Sequence, residues 1–160
     1  MTGMPCTSGW RGGRIGLVAV DTNILVYAHR RRERRHAAAR QRLTGLAEGY
    51  VRWGIPVVCL AEFLRVVTHP RIVDPLTAPE ACESLRRILA SPSLDVLTPG
   101  PRFQELFLAA VQEGNAIGNL AFDAQIVALC REAGVQTLIT EDRDFHRFTG
   151  VAVEHLGAQQ

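Results

Sequence analysis

The chain contains no lysine, and all 18 of its basic residues are arginine. That absence removes two phosphate chemistries. A receiver domain needs a lysine at its phosphoryl site, and a P-loop needs G-x-x-x-x-G-K-S/T. A nicotinamide-binding Rossmann unit fails differently: the glycines of "GWRGGRIG" precede the first apolar run instead of following it. No apolar run reaches the roughly 18 residues that span a bilayer, so no membrane association is expected. The cysteines (Cys6, Cys59, Cys82, Cys130) never fall as C-x-x-C. That spacing argues against zinc and fits small buried hydrophobes in a reducing cytoplasm. Aromatic residues make up only 6% of the chain and are scattered, so no stacking platform for single-stranded nucleic acid is expected.

Residues 1–15, "MTGMPCTSGWRGGRI", lack the apolar core of a signal peptide. They are expected to form a loose arm, and Met4 offers a second translation start. Residues 16–157 are expected to form one domain, long enough to bury a core without staples.

Within that domain apolar runs alternate between strand and helix patterns. Leu17 to Val20 reads as a short, fully buried strand, and a helix opens near Ile24. A second helix is expected from about Arg34 to Glu48. "GIPVVCLAEFLRVVTHP" starts extended and turns helical near Leu60. Thr77 and Glu80 form a capping box at the start of another helix. "LDVLTP" is a strand, "PRFQELFLAAVQEG" a helix with Gly114 past its end, and "NLAFDAQIVALCREAG" a helix closed by Gly134. "VQTLIT" and "VAVEHL" supply two last strands. This alternation predicts an α/β fold with a central parallel sheet and helices on both faces.

Charge is uneven along the chain. Residues 1–71 hold 12 Arg against 4 acids, and residues 72–160 hold 6 Arg against 12 acids. The densest run, "RRRERRHAAARQR", spans Arg30 to Arg42. Such asymmetry fits an anionic partner, with Arg30, Arg31, Arg34 and Arg35 as candidate RNA contacts, and equally fits a solvated helix face.

Four acids stand where the apolar pattern predicts none. Asp21 ends the first strand, and Asp142 follows the strand "TLIT". Glu62 and Asp123 fall on the apolar stripes of "VVCLAEFLRVV" and "NLAFDAQIVAL". Each has a local explanation: an N-cap for Asp21, a turn for Asp142, an ion pair with Arg65 or a distant arginine for Glu62. Four together call for a common one, because a buried carboxylate costs several kcal/mol unless it is paired. In an open parallel sheet, ligands bind beyond the carboxyl ends of the strands. Acids gathered there would repel one another, and a divalent cation would relieve the repulsion. An all-oxygen donor set points to Mg²⁺ or Mn²⁺.

The segments "VDTNILVYA", "LAEFLRVVTHPRI", "AFDAQIVAL" and "TEDRDF", in that order, resemble the PIN-domain ribonucleases. The closer resemblance is to the VapC toxins of bacterial toxin–antitoxin pairs, and "THPRI…PLT" looks like their mycobacterial members. The resemblance implies a three-layer α/β/α sandwich and a metal-binding quartet of Asp21, Glu62, Asp123 and Asp142. It implies a bracing role for Asn23 and Thr140, and a further acid, Asp144, that binds metal or orients its loop. It also implies a Mg²⁺-dependent endoribonuclease, usually dimeric, often aimed at structured RNA such as tRNA, and silenced by a cognate VapB-type antitoxin. The alternatives are a free-standing nuclease of this fold, for RNA processing or for DNA, and an RNA-binding module with a degenerate metal site.

Overall fold

The computed structural model describes residues 16–157; the expected arm, residues 1–15, lies outside them. Five strands run in chain order: β1 (Leu17–Val20), β2 (Trp53–Pro56), β3 (Leu94–Leu97), β4 (Val135–Ile139) and β5 (Ala152–Glu154). Six helices connect them: α1 (Thr22–His29), α2 (His36–Glu48), α3 (Val57–Val67), α4 (Ala78–Leu89), α5 (Phe103–Gly114) and α6 (Leu120–Ala133). A short 3-10 turn covers Arg143–Arg147.

The strands form one sheet in the order β3-β2-β1-β4-β5, and every pair is parallel. The chain adds strands outward on one side from β1 to β3, then returns to the other side of β1 for β4 and β5. Right-handed crossovers therefore place α1–α4 on one face and α5 and α6 on the other. The packing agrees: α1 lies against α2 and α3, and α5 against α6. Covered on both faces, the sheet is apolar along its centre, with Ala19, Val20, Ile55, Leu138 and Ile139 all buried. The order reverses between β1 and β4, and that seam is where the crevice of such a sheet opens.

Local chemistry sets most of the boundaries. Asp21 caps α1, its side chain accepting from the Thr22 N–H. Thr77 and Glu80 complete the expected capping box of α4, and Gly134 closes α6 in the left-handed region at φ 73°.

Several expected boundaries move, among them the start of α1, at Thr22 instead of near Ile24. The helix expected near Leu60 begins at Val57, directly after Pro56. Burial of Cys59, Phe63 and Val67 outweighs the weak helix propensity of the two leading valines. The second helix starts at His36, two residues later than expected. Gly114 lies inside α5, and Asn115 takes the left-handed cap at φ 45°. Gly114 serves close approach instead: a Cβ there would collide with the Phe148 ring.

Candidate metal centre and cleft

The site is built on the seam between β1 and β4. Asp21 is the first residue beyond β1, and its N–H donates to the Ile139 carbonyl 3.0 Å away on β4. Asp21 is only 4% exposed, so the partners of its carboxylate decide its state. Oδ1 accepts from Thr22 N at 2.6 Å, and Oδ2 accepts from Asn23 Nδ2 and Thr140 Oγ1, both at 2.7 Å. Burial pushes the Asp21 carboxyl up to about 6; the Thr140 and Thr22 hydrogen bonds hold it back, and the nearby charges of Glu62 and Asp142 raise it further.

Asn23 and Thr140 brace the strand ends. Asn23 donates to Thr140 Oγ1 at 2.9 Å and accepts from Glu141 N at 3.2 Å. Thr140, fully buried, also accepts from Asp142 N at 3.0 Å. Asp142 in turn accepts from Asp144 N at 2.8 Å, which folds the loop into the 3-10 turn. One hydrogen-bonded chain thus runs from Asp21 to Asp144.

Asp123 enters from the first turn of α6. One carboxylate oxygen from each of Asp123, Asp142 and Asp144 lies within 4.8 Å of the others. Burial pushes the Asp123 carboxyl up to about 7, with Asp142, Asp21, Asp144 and Glu62 adding to the rise in that order. Glu62 comes from α3. Its Oε2 accepts from Thr22 Oγ1 at 2.7 Å, and its Oε1 lies 3.3 Å from Arg65 Nη2. A cleft of about 800 Å³ is lined by Glu62, Arg65, Phe122, Asp123, Asp142 and Asp144, among others.

The acids therefore gather at the sheet edge, with one refinement to the sequence reading. Glu62 and Asp123 are not inside the apolar stripes. The buried stripe of α3 is Cys59, Phe63 and Val67, and Glu62 flanks it. Asp123 is half-buried beside Ala124, Ile126 and Val127. A stripe about 100° wide leaves its border positions facing a cleft where two layers part. Asp144, open as a ligand on sequence, stands in the group of three carboxylate oxygens within 4.8 Å of one another.

The arginine run is more committed than its charge implies. Arg30 donates to the Val73 carbonyl, and Arg35 holds Glu141 and the Leu156 carbonyl. Arg31 and Arg34 are exposed and make no ion pair among the described residues. Helix α1, about 12 Å long, separates Arg30 from Asp21. Pairs between the two chain halves (Arg32–Asp74, Arg35–Glu141, Arg42–Glu154 and Arg52–Asp95) consume much of the asymmetry.

Sequence reasoning missed two residues. Thr22 joins Asp21 to Glu62, and its only sequence signal is a hydroxyl next to the first acid. Phe122 exposes its ring on the cleft rim, one position before Asp123.

A family model described as PIN domain matches residues 18–151. The chain belongs to the PIN-domain family, on its VapC branch. It is 36% identical over 140 residues to Ribonuclease VapC43 of Mycobacterium tuberculosis, covering 87% of this chain and 95% of that protein. Ribonuclease VapC48 of the same organism is 30% identical over 138 residues, covering 83% and 92%. Among solved structures, VapBC2 from Rickettsia felis, bound to a DNA fragment from its promoter, superposes with a TM-score of 0.63 at 22% identity, covering 88% of this chain and 99% of that one. VapC20 of Mycobacterium tuberculosis, a sarcin-ricin loop cleaving toxin, gives 0.60 at 18% identity, with coverages of 81% and 92%. At these identities the structural likeness concerns the fold.

The donor set of this PIN domain suits a hard divalent cation. Asp123, Asp142 and Asp144 offer only carboxylate oxygens, and the neighbouring charges add to the rise that burial gives the Asp123 carboxyl.

Proposed function

We propose that this PIN domain is a Mg²⁺-dependent endoribonuclease, with Mn²⁺ able to substitute, and that it acts as the toxin of a VapBC pair. The observation that carries the reading is the convergence of Glu62, Asp123, Asp142 and Asp144 on one open cleft at the sheet's switch point, with the buried Asp21 carboxylate close enough to add its charge. The curated relatives, named VapC ribonucleases, support it.

Asp123, Asp142 and Asp144 would hold the ion, with Asp21 and Glu62 completing the negative field around it. When bound, the ion supplies an activated water and neutralises charge on the phosphoryl group. The chain's own residues prepare that site. Thr140, Asn23 and the Thr22 N–H fix both oxygens of Asp21. Thr22 and Arg65 fix Glu62. The Arg65 guanidinium, mostly exposed at the cleft, is placed to meet a backbone phosphate.

The substrate in this reading is structured RNA such as tRNA, recognised through shape and phosphates, with exposed Arg31 and Arg34 as further contacts. The working form is a homodimer. Leu108 of α5, Ile117 of the following turn and Phe122 of α6 expose apolar side chains that suit a second copy. The partner is a VapB-type antitoxin that reaches the acidic cleft; the neighbouring VapBC structures support this pairing. The test is to sequence the 5′ ends of cellular RNA after expression. New ends at one or a few sites, absent with Asp123→Asn, are expected. An unchanged pattern of ends contradicts the toxin reading.

A further inference from the structure

Two imidazoles converge next to the loop that carries Asp142 and Asp144, and the proposed cleavage uses neither. His146 lies on the Arg143–Arg147 turn and His155 just past β5. Both are exposed. Their Nε2 atoms are 3.1 Å apart, and their ring planes are inclined at 63°. Nδ1 of His155 lies 2.5 Å from the Thr140 carbonyl oxygen, so this nitrogen carries the proton and donates it. The lone pair of His155 Nε2 therefore points toward His146. A ring oriented by donating its other N–H to a backbone carbonyl is the arrangement that metal-ligating histidines adopt. The nearby Glu141 carboxylate is already engaged by Leu156 N at 2.6 Å and by Arg35 at 3.0 Å.

We propose that His146 and His155 form a bidentate site for a divalent transition cation of the zinc or nickel type, separate from the carboxylate centre. Zinc–nitrogen bonds are about 2.0–2.1 Å long. With the nitrogens 3.1 Å and the ring centroids 5.3 Å apart, the two rings face each other nearly head-on; swinging both off that line lets the nitrogens meet one ion at an angle of about 100°, between octahedral and tetrahedral values. Binding needs His146 to carry its proton on Nδ1, a change of tautomer with no net proton loss. Imidazole prefers zinc, nickel and copper, whereas the cleft carboxylates prefer Mg²⁺ and Mn²⁺, so the two sites sort their ions by ligand softness. Water fills the remaining positions. The ion would tie the Arg143–Arg147 turn to the segment after β5. That turn carries Asp144 and begins at Asp142, so an ion held by the imidazoles would stiffen the loop that presents both acids.

The experiment uses untagged protein carrying Cys6→Ser and Cys82→Ser, so that thiols do not compete, in excess Mg²⁺ to saturate the carboxylates. Zinc binding is measured by equilibrium dialysis, alongside the melting temperature. One zinc per chain is expected, bound about tenfold or more weakly by His146→Asn and by His155→Asn, and undiminished in Asp123→Asn. Zinc should raise the melting temperature of the parent protein but not that of His146→Asn. His155→Asn loses the Thr140 contact and tests folding as well as binding, whereas the exposed His146 contacts the pair alone, so its variant decides the question. Equal binding by parent and His146→Asn, no binding by the parent, or loss of zinc in Asp123→Asn would each overturn the site.

Discussion

The Thr140 hydroxyl lies 2.7 Å from Oδ2 of Asp21, joining residues 119 positions apart in the chain. Each is the first residue beyond a central strand, so the bond closes the seam between β1 and β4. The same oxygen accepts from Asn23 and from the Asp142 backbone. One fully buried hydroxyl therefore holds the deepest acid and the start of the acidic loop.

Thr140→Val keeps the shape and removes the bond. It leaves the Asp142 N–H and one Asp21 oxygen short of a partner, which should cost about 1–3 kcal/mol. Chemical denaturation should show that loss. RNA cleavage should fall by about tenfold or more, as when a group supporting metal ligands is removed. Unchanged stability and rate would mean that the brace is idle.

Asp21→Asn and Asp123→Asn should leave the fold intact and reduce Mg²⁺-dependent cleavage by about a hundredfold or more. Removing the Asp123 charge from a repelling cluster should also raise the melting temperature of metal-free protein, whereas Asp21→Asn sets an amide NH₂ against the donors that hold Asp21 and gives up that gain. A lower metal-free melting temperature for Asp123→Asn would show that its charge is stabilising in the apo fold.

The pH dependence follows from the burial of the two carboxyls, with the neighbouring acids adding to it. The folded Asp21 carboxyl is raised to about 6 and that of Asp123 to about 7, against about 3.9 in the unfolded chain. Between those values the folded state holds more protons than the unfolded one, so stability falls as pH rises through this window. The contribution is complete below the unfolded value and gone above the folded ones. In EDTA the melting temperature should drop from about pH 5 to about pH 8, and Mg²⁺ should restore more of it at the higher pH. Asp123→Asn should flatten the curve. A metal-free melting temperature that rises across this range would contradict the account.

An antitoxin that inserts an arginine among the carboxylates would bridge them bidentately and compete with the ion. Its inhibition should then weaken as Mg²⁺ rises at constant ionic strength, a condition needed because salt alone loosens arginine–phosphate contacts. Inhibition that ignores Mg²⁺ would point to blocked RNA access or a distorted dimer.

Much of this was legible in the chain because it rests on local signals. The β1 run ends at an acid, the Thr77–Glu80 box and Gly134 mark helix ends, and acids interrupting apolar patterns single out Asp21, Glu62, Asp123 and Asp142. What escaped depends on three-dimensional partners. The charge difference between halves fits an anion-binding surface or a solvated helix face equally, yet Arg35–Glu141 and Arg42–Glu154 show much of it spent on ion pairs across the fold. Gly114 resembled a helix stop until Phe148 supplied the reason for its missing side chain. Thr22 and Phe122 carry no distinguishing pattern, since a hydroxyl or an aromatic beside an acid is common, and only the cleft gives them a role.

The central claim is that the acidic cleft cuts RNA with the help of a bound ion. The most direct measurement follows labelled RNA and a DNA of matching sequence, each with Mg²⁺ and with EDTA, using the parent protein and folded Asp123→Asn. The account predicts cleavage of RNA alone, by the parent alone, and only with Mg²⁺. RNA cleavage that persists in EDTA, or that proceeds at the parent rate in Asp123→Asn, would contradict it.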